Sequence, residues 1–239
     1  MTELLYHRES YLQEFDARVT SVLPAERAVV LDRTAFYPGG GGQPCDFGTL
    51  TVDNTIYPVD NVKKQREDVL HFLGGDLPLP SIGAASRGTL NWTRRYELMR
   101  THTALHVLCG TIFRDYGAQV TGGDMQPLKG RLDFEFETMR GELVREIETA
   151  INKEVAQARE IRVKILPREE AFQIPDLIRT KINLLPEGIM QVRTVEIVGL
   201  DLQADGGTHV HNTSEVGKIR VVDYKSKGAI NKRIYVEIG

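Results

Sequence analysis

The sequence predicts an α+β protein, with a small β-barrel over residues 1–90 followed by a mixed α+β domain over residues 91–239. Three observations carry this expectation. Residues 1–90 hold several short β-branched or alternating runs, each bounded by turn residues, which is the pattern of a small barrel. Met139, Leu143, Ile147, Ile151 and Val155 recur every four positions, which makes 138–159 an amphipathic helix. After residue 90, helical and strand-like runs mix without the regular alternation of a doubly wound parallel sheet.

In order along the chain, 17–23 and 27–32 read as strands parted by Pro24. Residues 48–52 and 55–57 read as strands parted by Asp53-Asn54, a turn pair. Residues 68–73 supply a further strand, Pro78, Pro80 and Gly83 mark a loop, and the domain boundary is expected near Leu90. Trp92 to about Tyr116 is expected to be a long helix stopped by Gly117. Residues 131–136, 161–166 and 191–198 read as strands, and 169–171 as the start of a short helix. Residues 218–224 and 233–238 read as a hairpin around Gly228 and Asn231.

Composition excludes several classes. Hydrophobic content of 41% and charged content of 26% are ordinary for a globular chain. No run of eighteen apolar residues exists, so no membrane span is expected. The acidic start, with no apolar signal core, argues against a secretion signal. Cys45 and Cys109 make no disulfide framework, so the cytoplasm is the expected compartment. Net charge is −3, divided as −4 over residues 1–90 and +1 over the remainder. Within residues 217–236, Lys218, Arg220, Lys225, Lys227, Lys232 and Arg233 face Asp223 alone, a basic strip that can hold phosphates or simply be a solvated hairpin.

Two stretches concentrate the chemistry. His102 and His106 lie four residues apart on the expected long helix, so they stack on one face about 6 Å apart and can grip one metal ion. Taken alone, such a pair serves equally well as core histidines. About a hundred residues later, Asp205 and His209 flank a Gly-Gly that argues for a tight loop, which can turn both side chains to one point. Three imidazoles and a carboxylate suffice for a zinc site, and four of the six histidines fall in or beside these stretches. His211 points to the opposite side if its segment is extended, and His7 and His71 read as surface or strand residues. Cys109 lies about 10 Å along the helix axis from His102 and reads as a small buried apolar residue; Cys45 gets the same reading. The run Gly39–Gly42 lacks the Lys-Ser/Thr of a P-loop, so triphosphate binding is not expected, and its glycines serve either a turn or a close approach to substrate.

The words around these residues name a family. Trp92-Thr-Arg-Arg-Tyr-Glu-Leu-Met-Arg100 runs into the histidine pair, Asp205-Gly-Gly-Thr-His-Val210 precedes Asn212-Thr-Ser-Glu-Val-Gly217, and Thr34-Ala-Phe-Tyr-Pro-Gly-Gly-Gly-Gly-Gln-Pro44 stands upstream. Together they resemble the editing domain of alanyl-tRNA synthetases and the free-standing alanyl-tRNA editing proteins called AlaX, over nearly the whole chain. The resemblance implies an N-terminal barrel and a second domain like that shared by threonyl- and alanyl-tRNA synthetases. It also implies one Zn2+ per chain on His102, His106 and His209, with Asp205 as fourth ligand. Thr34 matches the threonine that reads the amino acid's hydroxyl, and Gly41, Gly42 and Gln43 belong to the Gly-rich segment used at the editing site. Lys225, Lys227, Lys232 and Arg233 become candidates for holding tRNA. One position departs from the pattern, because a Cys commonly stands in that family where this chain has Asp205.

The function implied is hydrolysis of the ester in seryl-tRNA(Ala), and of glycyl-tRNA(Ala), with alanyl-tRNA(Ala) spared. The partner is the acceptor end of tRNA(Ala); no ATP and no membrane are expected, and the chain should not charge tRNA. Two rivals stand beside it. An unrelated zinc peptidase would use His-Glu-x-x-His, but Thr103 occupies the Glu position and the general base is missing. A non-catalytic tRNA-binding module would hold a closed, structural zinc. With all four ligands bound, no tetrahedral position remains for water, so activation would require five-coordination or a loosely held Asp205.

Overall fold

The computed structural model describes residues 1–179 and 188–239. The chain divides into two compact units, Met1–Tyr96 and Glu97–Gly239.

The first unit contains β1 (Glu3–Leu4), β2 (Glu14–Leu23), β3 (Ala28–Leu31), β4 (Arg33–Thr34), β5 (Gly48–Val52), β6 (Thr55–Gln65), β7 (Asp68–Leu73) and β8 (Ala85–Leu90). Six of them close a barrel in the order β2-β3-β7-β6-β5-β8, every pairing antiparallel. Closure removes the free edges that an open sheet of this size would expose. Strict alternation along β2 puts Phe15, Ala17 and Val19 inside, between exposed Glu14, Asp16 and Arg18. They pack against Val29, Leu31, Leu50, Val59, Val62, Val69 and Leu73. Phe15 lies opposite Gly88 of β8, where a Cβ would come within 2.4 Å of its ring, so the register admits only glycine there. Asp53 and Asn54 both adopt positive φ, 48° and 65°, the conformation of a tight hairpin turn whose twist matches the flanking strands.

β6 runs to Gln65, well beyond the 55–57 legible in the sequence, and carries Pro58 within it. β1 and β4 form a separate parallel pair that sets Leu4 opposite Thr34. The segment after Thr34 is anchored by an ion pair closed off from solvent. Arg95 is 0% exposed and Asp46 1%. The Arg95 guanidinium forks onto the Asp46 carboxylate and also donates to the backbone carbonyls of Ser10 and Ala35. Asp46 accepts the Tyr37 amide in turn.

The remaining elements are α1 (Trp92–Tyr116), whose first turn counts with the first unit, β9 (Val120–Gln126), β10 (Lys129–Glu135), α2 (Gly141–Ala156), β11 (Ile161–Pro167), α3 (Arg168–Ala171), β12 (Gln191–Ile197), β13 (Asp201–Ala204), β14 (Ile219–Ser226) and β15 (Asn231–Ile238). They build a four-stranded sheet, β14-β15-β10-β9, and a three-stranded sheet, β11-β12-β13. α1 spans the helix expected from sequence and ends at Gly117, whose φ of 66° lets its amide cap the Phe113 carbonyl. α2 is shorter than the predicted 138–159, and it buries Val144, Ile147, Ile151 and Val155. Its polar residues cover the start of β14, with Asn152 bonding both the amide and the carbonyl of Ile219 and Glu148 accepting the Val221 amide. Edge backbone groups are thereby satisfied by side chains rather than left open for pairing. The α+β class, with its N-terminal barrel, is as the sequence predicts. No helix among the described residues is long and apolar enough to cross a membrane.

Candidate metal centre

The i, i+4 spacing on α1 does what helix geometry requires. The His102 and His106 rings are 5.0 Å apart between centroids. The loop after β13 brings His209 against both, at 4.2 Å from His102 and 4.7 Å from His106. Asp205 completes the group, its Oδ2 3.0 Å from His209 Nε2 and its Oδ1 3.5 Å from His102 Nε2. One ligand atom from each of the four lies within 4.8 Å of the others, so the group can hold a metal ion. The Gly206-Gly207 turn is an Asx turn in which the Gly207 amide donates to Asp205 Oδ2 at 2.8 Å, aiming the carboxylate inward.

The outer ring nitrogens are held as well. His106 Nδ1 is 3.1 Å from Asp201 Oδ2, and Asp201 also accepts from Gln203 at 2.6 Å and from Arg179 at 3.4 Å. His209 Nδ1 is 3.1 Å from the Thr103 hydroxyl, which also takes the Val210 amide. With Nδ1 engaged outward, Nε2 of both rings is left for the shared centre, the arrangement in which an outer partner fixes ring orientation and tautomer. Arg193 stands behind Asp205, donating to its backbone carbonyl at 2.9 Å with the same nitrogen 3.6 Å from Oδ2.

The protonation states suit metal binding. Burial pushes His102 well below the ordinary imidazole range and His209 down to about 4, so both are neutral donors at pH 7. Burial also depresses His106, but the bond to Asp201 and the charges of Asp205 and Asp201 together outweigh it, and the net shift is upward. Burial would raise Asp205, yet the neighbouring imidazoles hold it well below the usual carboxylate range, so it remains ionised. Three imidazoles and one carboxylate form a borderline set that fits Zn2+.

Sequence reasoning missed Asp201, Gln203, Arg179, Arg193 and the role of Thr103. Thr103 was visible only as the residue between the histidines, and the others have no helical spacing to betray them. Cys109 is buried, and Gln203 reaches its Sγ at 3.4 Å. Cys45 is half-buried, and Arg94 donates to its backbone carbonyl. His211 is exposed and stands outside the four-residue group. His7 lies on a short 3-10 helix rather than a strand. His71 does lie on a strand, β7, but it is wholly buried and bonded to Thr34.

In the first unit, Thr34 is enclosed and its hydroxyl is engaged by His71 Nε2 at 2.8 Å and by the Phe36 amide at 3.1 Å. The four glycines Gly39, Gly40, Gly41 and Gly42 all take positive φ, 83°, 135°, 58° and 88°, which no other residue type would tolerate in succession. The turn is closed by reciprocal backbone bonds between Gly40 and Gln43, and Tyr37 donates its hydroxyl to the Gly40 carbonyl. Gln43 is buried, whereas Gly41 faces solvent.

The basic strip is less open than its composition suggests. Lys225 and Lys227 are exposed on the β14–β15 hairpin, with Lys225 also paired to Asp223 at 2.9 Å. Lys232 is buried, and its ammonium closes the turn by donating to the Gly228 and Ala229 carbonyls at 2.8 Å. Arg233 forks onto Asp133 at 2.6 and 2.7 Å across the β10–β15 pair. Those two cations brace the hairpin instead of facing outward.

Asp205 carries an expected outcome of its own. A thiol titrates near 8.5 and a carboxylate near 3.9, and zinc prefers thiolate more strongly than manganese or magnesium does. Asp205→Cys should tighten zinc binding and make its affinity rise more steeply with pH. A zinc competition titration of both proteins between about pH 6 and pH 9, which brackets most of the thiol titration, measures this. Equal affinities and equal slopes would make Asp205 an orienting partner of His209 rather than a ligand.

The chain is 38% identical to the alanyl-tRNA editing protein AlaX-M of Saccharolobus solfataricus, over 100% of this chain and 99% of that protein. It is 36% identical to the AlaX-M protein of Methanosarcina barkeri, over 98% of each. It is 37% identical to the alanine–tRNA ligase of Ignicoccus hospitalis, over 92% of this chain and 24% of that enzyme. Residues 192–235 match the family described as threonyl and alanyl tRNA synthetase second additional domain. Residues 9–94 match the family described as tRNA synthetases class II (A).

Proposed function

Because the chain belongs to the AlaX alanyl-tRNA editing proteins, we propose that it is an aminoacyl-tRNA deacylase that removes serine, and also glycine, from tRNA(Ala) in the cytoplasm, with one Zn2+ held by His102, His106, His209 and Asp205. The observation that carries this reading is the convergence of those four side chains within 4.8 Å. A zinc ion bound there supplies a Lewis acid for an ester carbonyl. The chain's own residues do the rest: the two rings on α1 and the ring of His209 present ring nitrogens, Asp201 and Thr103 keep the His106 and His209 rings turned inward, and Asp205 brings one negative charge.

The need for such an enzyme is physical. A synthetase pocket built for alanine cannot strongly reject serine, which adds one hydroxyl; about a hundredfold is typical of such cases. A second site that pairs with the hydroxyl separates serine from alanine better, because alanine's methyl would leave its polar groups unpaired. The deciding experiment is a deacylation panel of seryl-, glycyl- and alanyl-tRNA(Ala), with and without chelator. Hydrolysis of the first two, lost on chelation, is the expected result; tRNA binding with no hydrolysis of any ester would make the chain a binding module.

We assign the reading of the serine hydroxyl to Thr34, supported by its place in the Thr34–Pro44 block. One of the three hydrogen-bonding positions of its hydroxyl remains beyond the bonds to His71 and Phe36. Thr34→Val keeps the shape and removes the hydroxyl, so the preference for seryl over alanyl ester should shrink by roughly 1–3 kcal/mol. An unchanged ratio of the two rates would take Thr34 out of the recognition role.

For the tRNA, the exposed Lys225 and Lys227 are the proposed phosphate contacts, on a hairpin braced by Lys232 and Arg233. Lys225→Ala with Lys227→Ala should weaken tRNA binding and flatten its dependence on salt by up to about two counterions. Equal affinities of variant and parent across a salt series would place the acceptor stem elsewhere.

A further inference from the structure

We infer that His71 is the positioning residue of the selectivity threonine, fixing the Thr34 hydroxyl as a donor to His71 Nε2 so that Thr34 can only accept from a substrate side chain. This rests on the proposed reading of Thr34 and adds the polarity of recognition: the hydroxyl that distinguishes serine from alanine is met as a hydrogen-bond donor.

The geometry leaves little freedom. His71 sits in the middle of β7 with a strand on either side, opposite Val29 of β3 and Val62 of β6. Its ring is 0% exposed and packed edge-on to Phe36 at 5.6 Å. Burial lowers its pKa to about 4, so the neutral ring carries one proton at working pH. Nδ1 faces the Val29 carbonyl at 3.4 Å. Carbonyls only accept, so the proton belongs on Nδ1 and Nε2 is an acceptor. The contact of 2.8 Å between Nε2 and Thr34 Oγ1 is then donated by threonine. Phe36 donates its amide to the same oxygen at 3.1 Å. A hydroxyl has one donor and two acceptor sites. One acceptor site is left, and an alanine methyl cannot fill it.

The experiment combines His71→Phe, His71→Gln and a tautomer measurement. His71→Phe removes the acceptor while keeping a planar ring; the seryl-to-alanyl ratio of kcat/KM should fall about tenfold, the worth of one buried hydrogen bond. Zinc affinity and the alanyl rate should stay as in the parent. His71→Gln, whose amide oxygen can still accept, should restore most of the ratio. On a Thr34→Val background, His71→Phe should change the ratio no further. Should Thr34→Val shift the ratio while His71→Phe leaves it intact, the inference about His71 is overturned and the reading of Thr34 survives. Should neither shift it, the reading of Thr34 fails first. Long-range nitrogen–proton correlation on the 15N-histidine-labelled parent, with the His71 signal assigned by its loss in His71→Gln, needs no variant to function. A protonated Nδ1 and a bare Nε2 are expected, and the opposite tautomer would overturn the proposal even if His71→Phe does not fold.

Discussion

Replacing His102 or His106 with alanine should release the metal and cut seryl-tRNA(Ala) deacylation by about a thousandfold or more, since Lewis-acid stabilisation of a developing oxyanion is worth several kcal/mol. Both rings are buried against His209, and each substitution removes one of the four groups that could hold a metal ion among the described residues. Metal content by elemental analysis, run beside the deacylation rate, checks the pair of effects; the parent should carry one zinc per chain and lose its activity on chelation. Full activity in a metal-free sample would falsify the hydrolytic role of the ion. A zinc competition titration grades the supporting groups. Asp201→Asn leaves all four ligands in place but removes the carboxylate that faces His106 Nδ1, so zinc affinity should fall about 10–100-fold rather than vanish.

The largest effect on stability is expected at Asp46. Asp46→Asn keeps the shape and an acceptor for the Tyr37 amide, but it strands the Arg95 guanidinium, 0% exposed, without its counter-charge. Breaking a buried pair from one side costs about 3–5 kcal/mol, because the surviving charge remains desolvated. Urea unfolding at low and at high salt distinguishes this from a surface effect, since a buried pair is screened far less than an exposed one. A loss under about 1 kcal/mol, or one that disappears in salt, would mean that water reaches the guanidinium. Deacylation should suffer too, because Arg95 also holds the Ala35 carbonyl, next to Thr34, and the Gly-rich turn follows directly.

What was legible in the sequence follows from the range of the forces involved. The histidine pair showed because helix geometry is local, and His102 and His106 meet whatever the rest of the chain does. The inward turn at Asp205 showed because two glycines and an Asx side chain make it locally. β9 did not show: Val120-Thr-Gly-Gly-Asp-Met-Gln126 has a poor strand composition and is extended because it pairs with β10, where Gly123 leaves room for Leu132. β6 was cut short at Pro58, which an exposed position on the strand tolerates. The basic strip misled for the same reason. Counting charges along 217–236 cannot reveal that Arg233 meets Asp133, a hundred residues away, or that Lys232 folds back onto its own turn. His71 looked idle because its partner, Thr34, is thirty-seven residues distant in sequence.

The short run from Asp201 to His209 works as a ruler. It supplies two members of the four-residue group, Asp205 and His209, together with Asp201, which orients a third, and Gln203, which holds Asp201. Asp201 and Gln203 share a face of β13 because they are two apart, in a register fixed by Ile197 and Val195 of β12. A single residue inserted between them would send one to the opposite face, and one inserted after Ala204 would rotate the Asx turn away from α1. Its tolerance to substitution and its tolerance to change of length should therefore diverge. Asp205→Cys should be accepted in place, whereas a run of eight or ten positions should not be. Among descendants of this gene, gaps should accumulate in stretches such as the loop between β7 and β8 and stay out of this one.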